Sequence, residues 1–329
     1  MAGVTLASAE RAVKQVIASG QIGGWKLNEE LGGGGFGVTW LATKKELNGS
    51  TVKAVIKLTQ PELLVGETMD EVQAGQQNFH KEFVILQALS SPHIARLLDG
   101  GIQETKSGVN VPWLALERVQ GTPLHEEIQH EPLDENHWLR VARDLCEALR
   151  VVHDAGLVHL DVKPANIVLR ARGAVLIDFG IASLRDMAPR EGIGGTLGFF
   201  APEQLDGSVD ASDAAAAVDM FKAGVTLVIA AQRTLPWAVM RETAAAARER
   251  LKQAPDMSGL TPLQRQVVGP MLSFDPNQRP SAVDARDAID RLLAGTAKHE
   301  PAPAPAGGSV DAPAPSPSPV DQPVEVSPR

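Results

Sequence analysis

Side chains with catalytic potential lie close together between residues 158 and 180. His159 and Asp161 are separated by one residue, Lys163 follows two positions later, and Asn166 completes the group. A short apolar run then leads to a second carboxylate, Asp178. Two carboxylates and an amide this close in sequence predict a loop that holds metal ions and a nucleophile together, because hard cations prefer oxygen ligands.

Two motifs contain these residues, and both resemble signatures of the eukaryotic-type (Hanks-type) protein kinases. Residues 159–166 read His-Leu-Asp-Val-Lys-Pro-Ala-Asn, which resembles the kinase catalytic loop H-R-D-x-K-P-x-N. Residues 178–180 read Asp-Phe-Gly, which resembles the metal-binding D-F-G turn. Lysine two residues after the aspartate is the pattern of serine/threonine kinases. The alanine-rich style of the chain is similar to the bacterial, eukaryote-like branch of the family.

The resemblance implies a role for each of these side chains. Asp161 would accept the hydrogen bond and the proton of the acceptor hydroxyl. Lys163 would stabilise the charge that develops near the γ-phosphate. Asn166 and Asp178 would hold Mg²⁺. The expected cofactors are therefore ATP and Mg²⁺, and the expected partners are proteins that offer serine or threonine.

A glycine cluster in the first part of the chain indicates a phosphate site. Gly32, Gly34 and Gly37 fit the spacing G-x-G-x-x-G, which lets backbone N–H groups approach phosphate oxygens. A Rossmann dinucleotide-binding fold uses the same spacing but needs a helix directly after the glycines. Residues 38–42 are β-rich instead, so the glycines are expected to join two antiparallel strands. By resemblance, Leu31 and the three glycines bind ATP.

The strand expected over residues 51–58 carries Lys57. In isolation, a lysine here is more simply a surface residue whose aliphatic part packs on the sheet. It also resembles the lysine of the kinase V-A-I-K strand, which pairs with the α- and β-phosphates. A helix is expected over residues 79–89, and by the same resemblance its Glu82 pairs with Lys57.

A strand expected over residues 112–119 resembles the kinase hinge, whose backbone groups hydrogen-bond the adenine edge. That resemblance places Glu117 and Val119 at the adenine and Leu116 as the gatekeeper. Beyond the hinge, residues 133–155 show apolar side chains at helical spacing and predict the helix that leads to the catalytic loop.

Three features of the second half of the chain extend the resemblance. Residues 195–203 resemble the segment G-T-x-x-Y-x-A-P-E, which shapes a groove for peptide substrates in kinases. Asp219 and Gly224 match the aspartate and the glycine of a buried kinase helix. Arg279 resembles the late arginine that pairs with the glutamate of A-P-E, so Glu203 is expected to pair with Arg279.

The predicted fold class is α+β, with the bilobal architecture of a protein kinase: an antiparallel-sheet N-lobe with one main helix, and a mostly helical C-lobe. An N-terminal amphipathic helix is expected within residues 1–24, the N-lobe over 25–118 and the C-lobe over 119–294. Residues 295–329 are rich in Pro and Ala and cannot bury enough apolar surface to fold, so they are predicted to be a disordered tail.

Composition limits the other function classes. The net charge of −9 argues against a general nucleic-acid binder, since phosphate contacts need clustered Lys and Arg. The single cysteine, Cys146, excludes an intrachain disulfide and favours a reducing compartment. No apolar run approaches the length of about 18 residues that predicts a membrane span, and charged residues interrupt any signal-peptide pattern near the N-terminus. A cytoplasmic protein is therefore expected.

Three functions fit this fold. The residues assigned to nucleotide binding, metal binding and proton transfer are all present, which favours an active Ser/Thr protein kinase over a pseudokinase that only binds or scaffolds. The third alternative is a small-molecule kinase of the antibiotic phosphotransferase type. Such enzymes generally lack the Lys163-Pro164 pair and the 195–203 segment, so this alternative is the weaker one.

Leu160 separates this chain from most kinases. The family usually has an arginine before the catalytic aspartate, and this arginine captures a phosphate on the activation loop. Leu160 cannot bind phosphate, and the loop after the D-F-G motif offers only Ser183 and Thr196 as acceptors. We therefore expect activity that does not depend on phosphorylation of this loop. Thr39 and Val55 also differ from the residues that are common beside the nucleotide.

Overall fold

The computed structural model of the chain describes residues 4–34, 37–59, 64–66, 80, 83–84, 86–171, 173–178, 197–205, 212–237 and 244–297. Its strands are β1 (Gln21–Ile22), β2 (Trp25–Gly34), β3 (Gly37–Lys45), β4 (Thr51–Leu58), β5 (Leu97–Gln103), β6 (Val111–Glu117), β7 (Thr122–Pro123), β8 (Ile167–Arg170) and β9 (Gly173–Leu176). Its α-helices are α1 (Leu6–Ser19), α2 (Leu124–Glu127), α3 (Glu135–Asp154), α4 (Pro202–Leu205), α5 (Ser212–Gln232), α6 (Ala244–Leu251), α7 (Pro262–Met271) and α8 (Ala282–Ala297).

The N-lobe is built on a six-stranded antiparallel sheet in the order β1-β2-β3-β4-β6-β5. Strands β2 and β3 pair up to the glycine loop, where Gly34 lies opposite Gly37. The β3–β4 hairpin turns at Gly49, whose φ of 83° suits a residue without a Cβ. This order places β4, the strand that carries Lys57, between β3 and β6 in the interior of the sheet.

Helix α1 belongs to the N-lobe core. Thr5 caps its N-terminus, and Gly20 ends it in the left-handed conformation at φ 67°. Val4 forms an antiparallel bridge with Gly66, in the segment that follows β4. The buried residues of α1 share one apolar cluster with the sheet residue Trp25: Ala9, Ala12, Val13 and Val16. The apolar periodicity of this segment is therefore used for packing inside the chain.

The C-lobe forms around two long helices, α3 and α5. Asp134 caps α3 by accepting a hydrogen bond from the His137 N–H. Trp138 of α3 is fully buried, and its indole Nε1 donates to the Leu227 carbonyl of α5 at 2.8 Å. Helix α8 packs on α3 and helix α7 packs on α5. Helix α8 continues to Ala297, beyond residue 294, where the sequence placed the end of the lobe.

A small sheet, β7-β8-β9, contacts the N-lobe through the bridge between Leu176 of β9 and Ile94. Gly121, directly before β7, has φ 151°, and a Cβ at this position would lie 2.1 Å from the Leu169 carbonyl oxygen of β8. Glycine is therefore required for the hinge to approach β8 this closely. Residues 159–166 connect α3 to β8, so the catalytic loop is anchored at both ends in the C-lobe.

The predicted α+β bilobal architecture is confirmed. The strand expected over residues 51–58 is β4, and the helix expected over 133–155 is α3. In the segment expected to carry Glu82, residues 83–84 and 86–88 are helical, while Glu82 lies outside the described residues. Cys146 is fully buried, and burial raises the pKa of its thiol to about 12, which fits a small core residue and not a reactive thiol. Within the described ranges, no helix is long and apolar enough to cross a membrane.

A charge placed on the buried face of α1 is expected to destabilise the N-lobe. Val13 is 4% exposed, so Val13→Asp puts an unpaired carboxylate into the apolar cluster and lowers the free energy of unfolding by roughly 3 kcal/mol. Urea unfolding followed by circular dichroism measures this. The matched control is Ala18→Asp on the exposed face of the same helix. Equal stability of the two variants would contradict the packing of α1.

Candidate active site

A buried carboxylate on α5 fixes the backbone of the catalytic loop. Asp219 has no solvent exposure, and its two oxygens accept the N–H groups of His159 and Leu160, each at 2.7 Å. His153 Nε2 lies 2.9 Å from the same carboxylate. Burial raises the pKa of Asp219, but the hydrogen bonds from His153 and the His159 N–H outweigh it, so the pKa is lowered and the carboxylate is charged. Two successive N–H groups of the loop are thereby held in fixed directions.

Leu160 takes an unusual backbone conformation beside this anchor. Its φ of 66° lies in the left-handed region, which costs a residue with a Cβ roughly 1–2 kcal/mol. Its side chain is 4% exposed and belongs to the apolar core of the C-lobe. Burial of the leucine offsets the backbone cost. The position that carries an arginine in most kinases is therefore an apolar core position here.

His159 connects the catalytic loop to the strand that leads to Asp178. Its Nε2 lies 3.0 Å from the Ile177 carbonyl, and its Nδ1 accepts the Asp161 N–H at 3.3 Å. Since a carbonyl can only accept, Nε2 carries the proton and the ring is neutral. Burial lowers the pKa of His159, which agrees with a neutral ring. One imidazole ring thus contacts both the backbone N–H of Asp161 and the carbonyl of Ile177, the residue before Asp178.

The carboxylate of Asp161 is oriented by two donors. Lys163 Nζ lies 2.8 Å from Oδ2, and Asn166 Nδ2 donates to Oδ2 and to the backbone carbonyl of Asp161, both at 2.8 Å. These contacts all leave Oδ1 untouched, and no residue in the described part of the chain donates to it. A fixed carboxylate with one unbonded oxygen is what a group that accepts a proton from a hydroxyl needs.

An ion pair joins the two lobes across the cleft. Lys57 of β4 is 1% exposed, and its Nζ lies 2.5 Å from Asp178 Oδ1. Asp178 follows β9 with φ 61°, and the Ile177 N–H bonds to the Asn166 carbonyl at 2.9 Å. The burial of Lys57 excludes the simpler alternative of an exposed surface lysine. Because Glu82 is outside the described residues, its pairing with Lys57 stays a prediction.

The remaining oxygen atoms of Asn166 and Asp178 suit a divalent cation. The Nδ2 of Asn166 is occupied by Asp161, so Oδ1 is left as an acceptor, and Asp178 Oδ2 has no donor among the described residues. Mg²⁺ is commonly held by one or two carboxylate or amide oxygens together with water and substrate phosphates. The described residues contain no group of three or more His, Cys, Asp or Glu side chains that could hold a metal ion alone. The donor set therefore fits a cation that arrives with a nucleotide.

The glycine loop begins beside the strand of Lys57. The strand register places Gly32, Thr39 and Lys57 side by side on β2, β3 and β4. Gly32 has φ 152° and open space around it, so its conformation, and not crowding, favours glycine. The Thr39 hydroxyl donates to the Gly32 carbonyl at 2.9 Å. Thr39, which replaces a more common valine, thus ties the start of the glycine loop to the sheet, and Leu31 before it is half exposed.

The side chain of Glu117 forms a second connection between the lobes. Its carboxylate accepts hydrogen bonds from Arg96 Nε at 3.2 Å and from Arg170 Nη2 of β8 at 2.9 Å. Burial raises the pKa of Glu117, but the two arginines outweigh it and the pKa is lowered. The carboxylate is therefore occupied, and the Glu117 N–H donates to the Arg96 carbonyl at 2.7 Å. Contact of the Glu117 and Val119 backbone with an adenine ring stays a prediction. The sequence placed Glu117 in the hinge but did not predict its contacts with Arg96 and Arg170.

The expected pairing of Glu203 with Arg279 is confirmed. The guanidinium binds both carboxylate oxygens, at 2.6 and 2.9 Å, and both residues are buried. Arg279 also donates to the backbone carbonyls of Ser273 and Ala217, at 2.8 and 2.9 Å. This bidentate pair attaches α4 and the preceding residues 197–201 to the C-lobe core.

Sequence reasoning recognised Asp219 by resemblance but did not see what it holds, and it missed Lys222 altogether. Lys222 is 6% exposed, and its ammonium lies 5.1 Å from the centre of the Phe200 ring. One signal was available, because Lys222 is the only charged residue between positions 220 and 231. A lone lysine in an apolar helix can be exposed, buried for packing or functional, and the sequence alone does not separate these cases.

The fold and the site together define a protein kinase. Residues 25–289 match the protein kinase domain family, so the chain belongs to that family. Three curated relatives show the range of similarity. Probable serine/threonine-protein kinase PkwA of Thermomonospora curvata is 33% identical over 222 residues, which are 66% of this chain and 27% of that protein. Serine/threonine-protein kinase AfsK of Streptomyces coelicolor is 30% identical over 290 residues, 85% of this chain and 33% of that protein.

A third relative, serine/threonine-protein kinase PknA of Mycobacterium tuberculosis, is also 30% identical over 290 residues, which are 85% of this chain and 64% of that protein. The chain therefore spans less than two thirds of the length of these relatives. The membership in the protein kinase domain family agrees with the resemblance found in the motifs.

Replacing the buried anchor of the catalytic loop is expected to be costly. Asp219→Asn exchanges one acceptor oxygen for an NH₂ group, so one backbone N–H of the loop faces a donor and loses its partner. We expect the free energy of unfolding to fall by roughly 2–4 kcal/mol, measured by urea unfolding. The control is Asp290→Asn at a half-exposed ion pair, with a change below about 0.5 kcal/mol. Equal effects would show that Asp219 does not anchor the loop.

Proposed function

We propose that the chain is an ATP-dependent protein kinase that transfers the γ-phosphate to serine or threonine hydroxyls of proteins. The observation that carries the proposal is the state of Asp161, whose Oδ2 is fixed by Lys163 and Asn166 while Oδ1 is left for a hydroxyl. The Lys57–Asp178 pair across the cleft supports it. Both arrangements remove charged groups from water, which costs free energy. A role in phosphoryl transfer explains why these groups are held there.

Each residue of the site then has a defined task. Asp161 accepts the hydrogen bond of the incoming hydroxyl and takes its proton as the bond to phosphorus forms. Lys163, already 2.8 Å from Asp161, stabilises negative charge on the transferred group. Lys57 exchanges part of its contact with Asp178 for the α- and β-phosphates.

The proposed cofactors are ATP and Mg²⁺. Asn166 Oδ1 and the Asp178 carboxylate would bind the cation, which when bound supplies charge neutralisation for the phosphates. The glycines at positions 32, 34 and 37, together with Leu31, would cover the nucleotide, and the backbone of Glu117 and Val119 would contact the adenine. Glu82 would hold Lys57 in place.

Two rival functions stay within the same fold. A pseudokinase would bind partners without phosphate transfer. It would not need an oriented Asp161, or the Asn166 and Asp178 oxygens that no described residue bonds. A small-molecule kinase is disfavoured by Lys163-Pro164 and by the Glu203–Arg279 pair, which secures the segment next to the peptide groove. Protein acceptors are therefore the proposed partners. A cytoplasmic location remains a proposal, which the single buried Cys146 supports.

Removal of the proton acceptor is expected to abolish most of the activity. Asp161→Asn keeps the shape of the side chain but cannot take a proton, so kcat for phosphate transfer from labelled ATP with Mg²⁺ should fall about a hundredfold or more. Chelation of divalent cations with EDTA should have a comparable effect, and excess Mg²⁺ should restore the rate.

The control for this experiment is Asp256→Asn, which changes an aspartate outside the site. No difference between Asp161→Asn and the wild type would refute the kinase proposal and favour the pseudokinase. Transfer to small hydroxylated acceptors but to no protein would favour the small-molecule kinase.

Activity is also expected to survive removal of phosphate from the protein. Leu160 is buried and apolar, so the site offers no arginine at this position to read a phosphorylated loop. Ser183 and Thr196 lie outside the described residues. Phosphatase-treated protein and Ser183→Ala should both keep kcat/KM within about threefold of the untreated wild type, because no charge-assisted contact is lost. Loss of activity on phosphatase treatment, with recovery that follows phosphorylation of Ser183 or Thr196, would overturn this expectation.

A further inference from the structure

Lys222 is a buried cation without a charged or hydrogen-bonded partner among the residues that the structure describes. Two lysines of the described chain are almost fully buried, Lys57 and Lys222. Lys57 is neutralised by Asp178 at 2.5 Å. Lys222 makes no salt bridge and no hydrogen bond to any residue that the structure describes, and its contact is the Phe200 ring. An aromatic ring stabilises a desolvated ammonium in part, but it does not compensate fully for the lost hydration.

The position of Lys222 directs this charge toward the place of catalysis. It lies one turn after Asp219 on α5, and Asp161 and Asp219 attract its charge while Lys163 repels it. Burial nevertheless lowers the pKa of Lys222, so these carboxylates do not replace a direct counter-ion. Asp219 is already bonded to His153 and the catalytic loop, and Asp161 Oδ2 is bonded to Lys163 and Asn166. Neither carboxylate forms a hydrogen bond or an ion pair with Lys222.

The adjoining groove favours an anionic occupant. A groove of about 450 Å³ lies against the catalytic loop and includes Lys163, Phe199, Arg233 and His125 in its lining. None of the described residues that line it is an Asp or a Glu. Lys222 itself does not line this groove, but two lining residues connect the groove to it: Phe199 precedes its ring partner Phe200, and the charge of Lys163 acts on Lys222. Since the whole chain carries a net charge of −9, a groove without an acid among its described lining residues is a local reversal of the overall charge.

We propose that Lys222 binds an anionic side chain, a carboxylate or a phosphate, of the protein substrate close to its acceptor Ser or Thr. The inference rests on the proposed kinase function and adds a substrate class to it. Phe200 belongs to the segment that the sequence assigns to the peptide groove, so the ammonium above its ring would lie next to a bound peptide. An anion that enters this poorly hydrated place meets an ammonium with which no described residue forms an ion pair, and such a pair is stronger than one in water.

A purely structural lysine would behave differently. Methionine has a similar length, packs well on aromatic rings and has no charge to desolvate, so it would serve packing at least as well. Lys222→Met therefore separates the two explanations, because it removes the ammonium and keeps the volume. Lys222→Arg restores a cation at the same place.

Fluorescence anisotropy with labelled peptides tests the proposal without any chemical step. Each peptide carries Ala in place of the acceptor, and a single neighbouring position carries Glu, phosphoserine or the neutral Gln, moved through the flanking positions in turn. The measured quantity is the ratio of Kd for the Gln peptide to Kd for the anionic peptide. At one position we expect a ratio of about ten or more in the wild type, a ratio near one in Lys222→Met, and recovery in Lys222→Arg. The Glu and phosphoserine series show which anion is preferred.

The matched control is Lys252→Met, because Lys252 also lies over a phenylalanine ring, Phe274, but is exposed and pairs with Glu249. Its ratio should equal that of the wild type. Thermal unfolding of Lys222→Met should match or exceed the wild type, and Lys222→Gln serves as a second uncharged variant. A wild-type ratio of one at every position, or the same ratio in wild type and Lys222→Met, would overturn the proposal.

Phosphate transfer to the same peptides with the acceptor restored reports on the kinase function separately. Transfer without any preference for anionic peptides overturns the assignment of Lys222 alone. A Lys222-dependent binding preference without phosphate transfer supports the binding site and overturns only the catalytic proposal.

Discussion

The structure depends on one buried carboxylate that accepts the backbone of the catalytic loop. Asp219 takes two successive N–H groups, from His159 and Leu160, while it is fully removed from water. A desolvated carboxylate is tolerated only when it is well hydrogen-bonded, so the loop and α5 cannot move apart without exposing an unpaired charge to an apolar core. This constraint accounts for the left-handed Leu160, and it places Asp161 before any side-chain contact of that aspartate is considered.

The remaining polar contacts of the site extend from this anchor. His159 connects the loop to the Ile177 carbonyl, directly before Asp178, and Asp178 forms an ion pair with Lys57 across the cleft. Glu117 connects the same two lobes at the hinge through Arg96 and Arg170. Buried and half-buried pairs of this kind add little net stability compared with apolar packing. Their consistent placement around one cleft indicates that they position groups for chemistry, which the apolar clusters of the lobes alone would not do.

Much of this arrangement could be predicted from the sequence, because most residues of the site lie in short local motifs. The strand of Lys57 and the helix over residues 133–155 are local patterns, and the structure has them where the sequence predicts them. The residues from His159 to Asn166 likewise form one continuous loop between α3 and β8. What could not be predicted are contacts between residues far apart in the chain. Asp219 accepts two N–H groups of the loop because of the way α5 packs, and Glu117 pairs with Arg170 because of the way β8 packs. No local pattern predicts the distance between residues so far apart in the chain. Lys222 was visible as a lone charge in an apolar helix, but only its burial over Phe200 distinguishes it from a surface lysine.

The central claim is that a loop fixed by Asp219 presents Asp161 to a hydroxyl and offers Asn166 and Asp178 to a nucleotide-bound cation. A crystal structure with Mg²⁺ and a non-hydrolysable ATP analogue tests this most directly. We expect that Asn166 Oδ1 and the Asp178 carboxylate coordinate the metal and that Lys57 contacts the α- and β-phosphates. Asp161 Oδ1 should stay off the metal while both Asp219 bonds persist. A nucleotide bound without metal at these oxygens, or Asp161 found as a metal ligand with the Asp219 bonds broken, would contradict it.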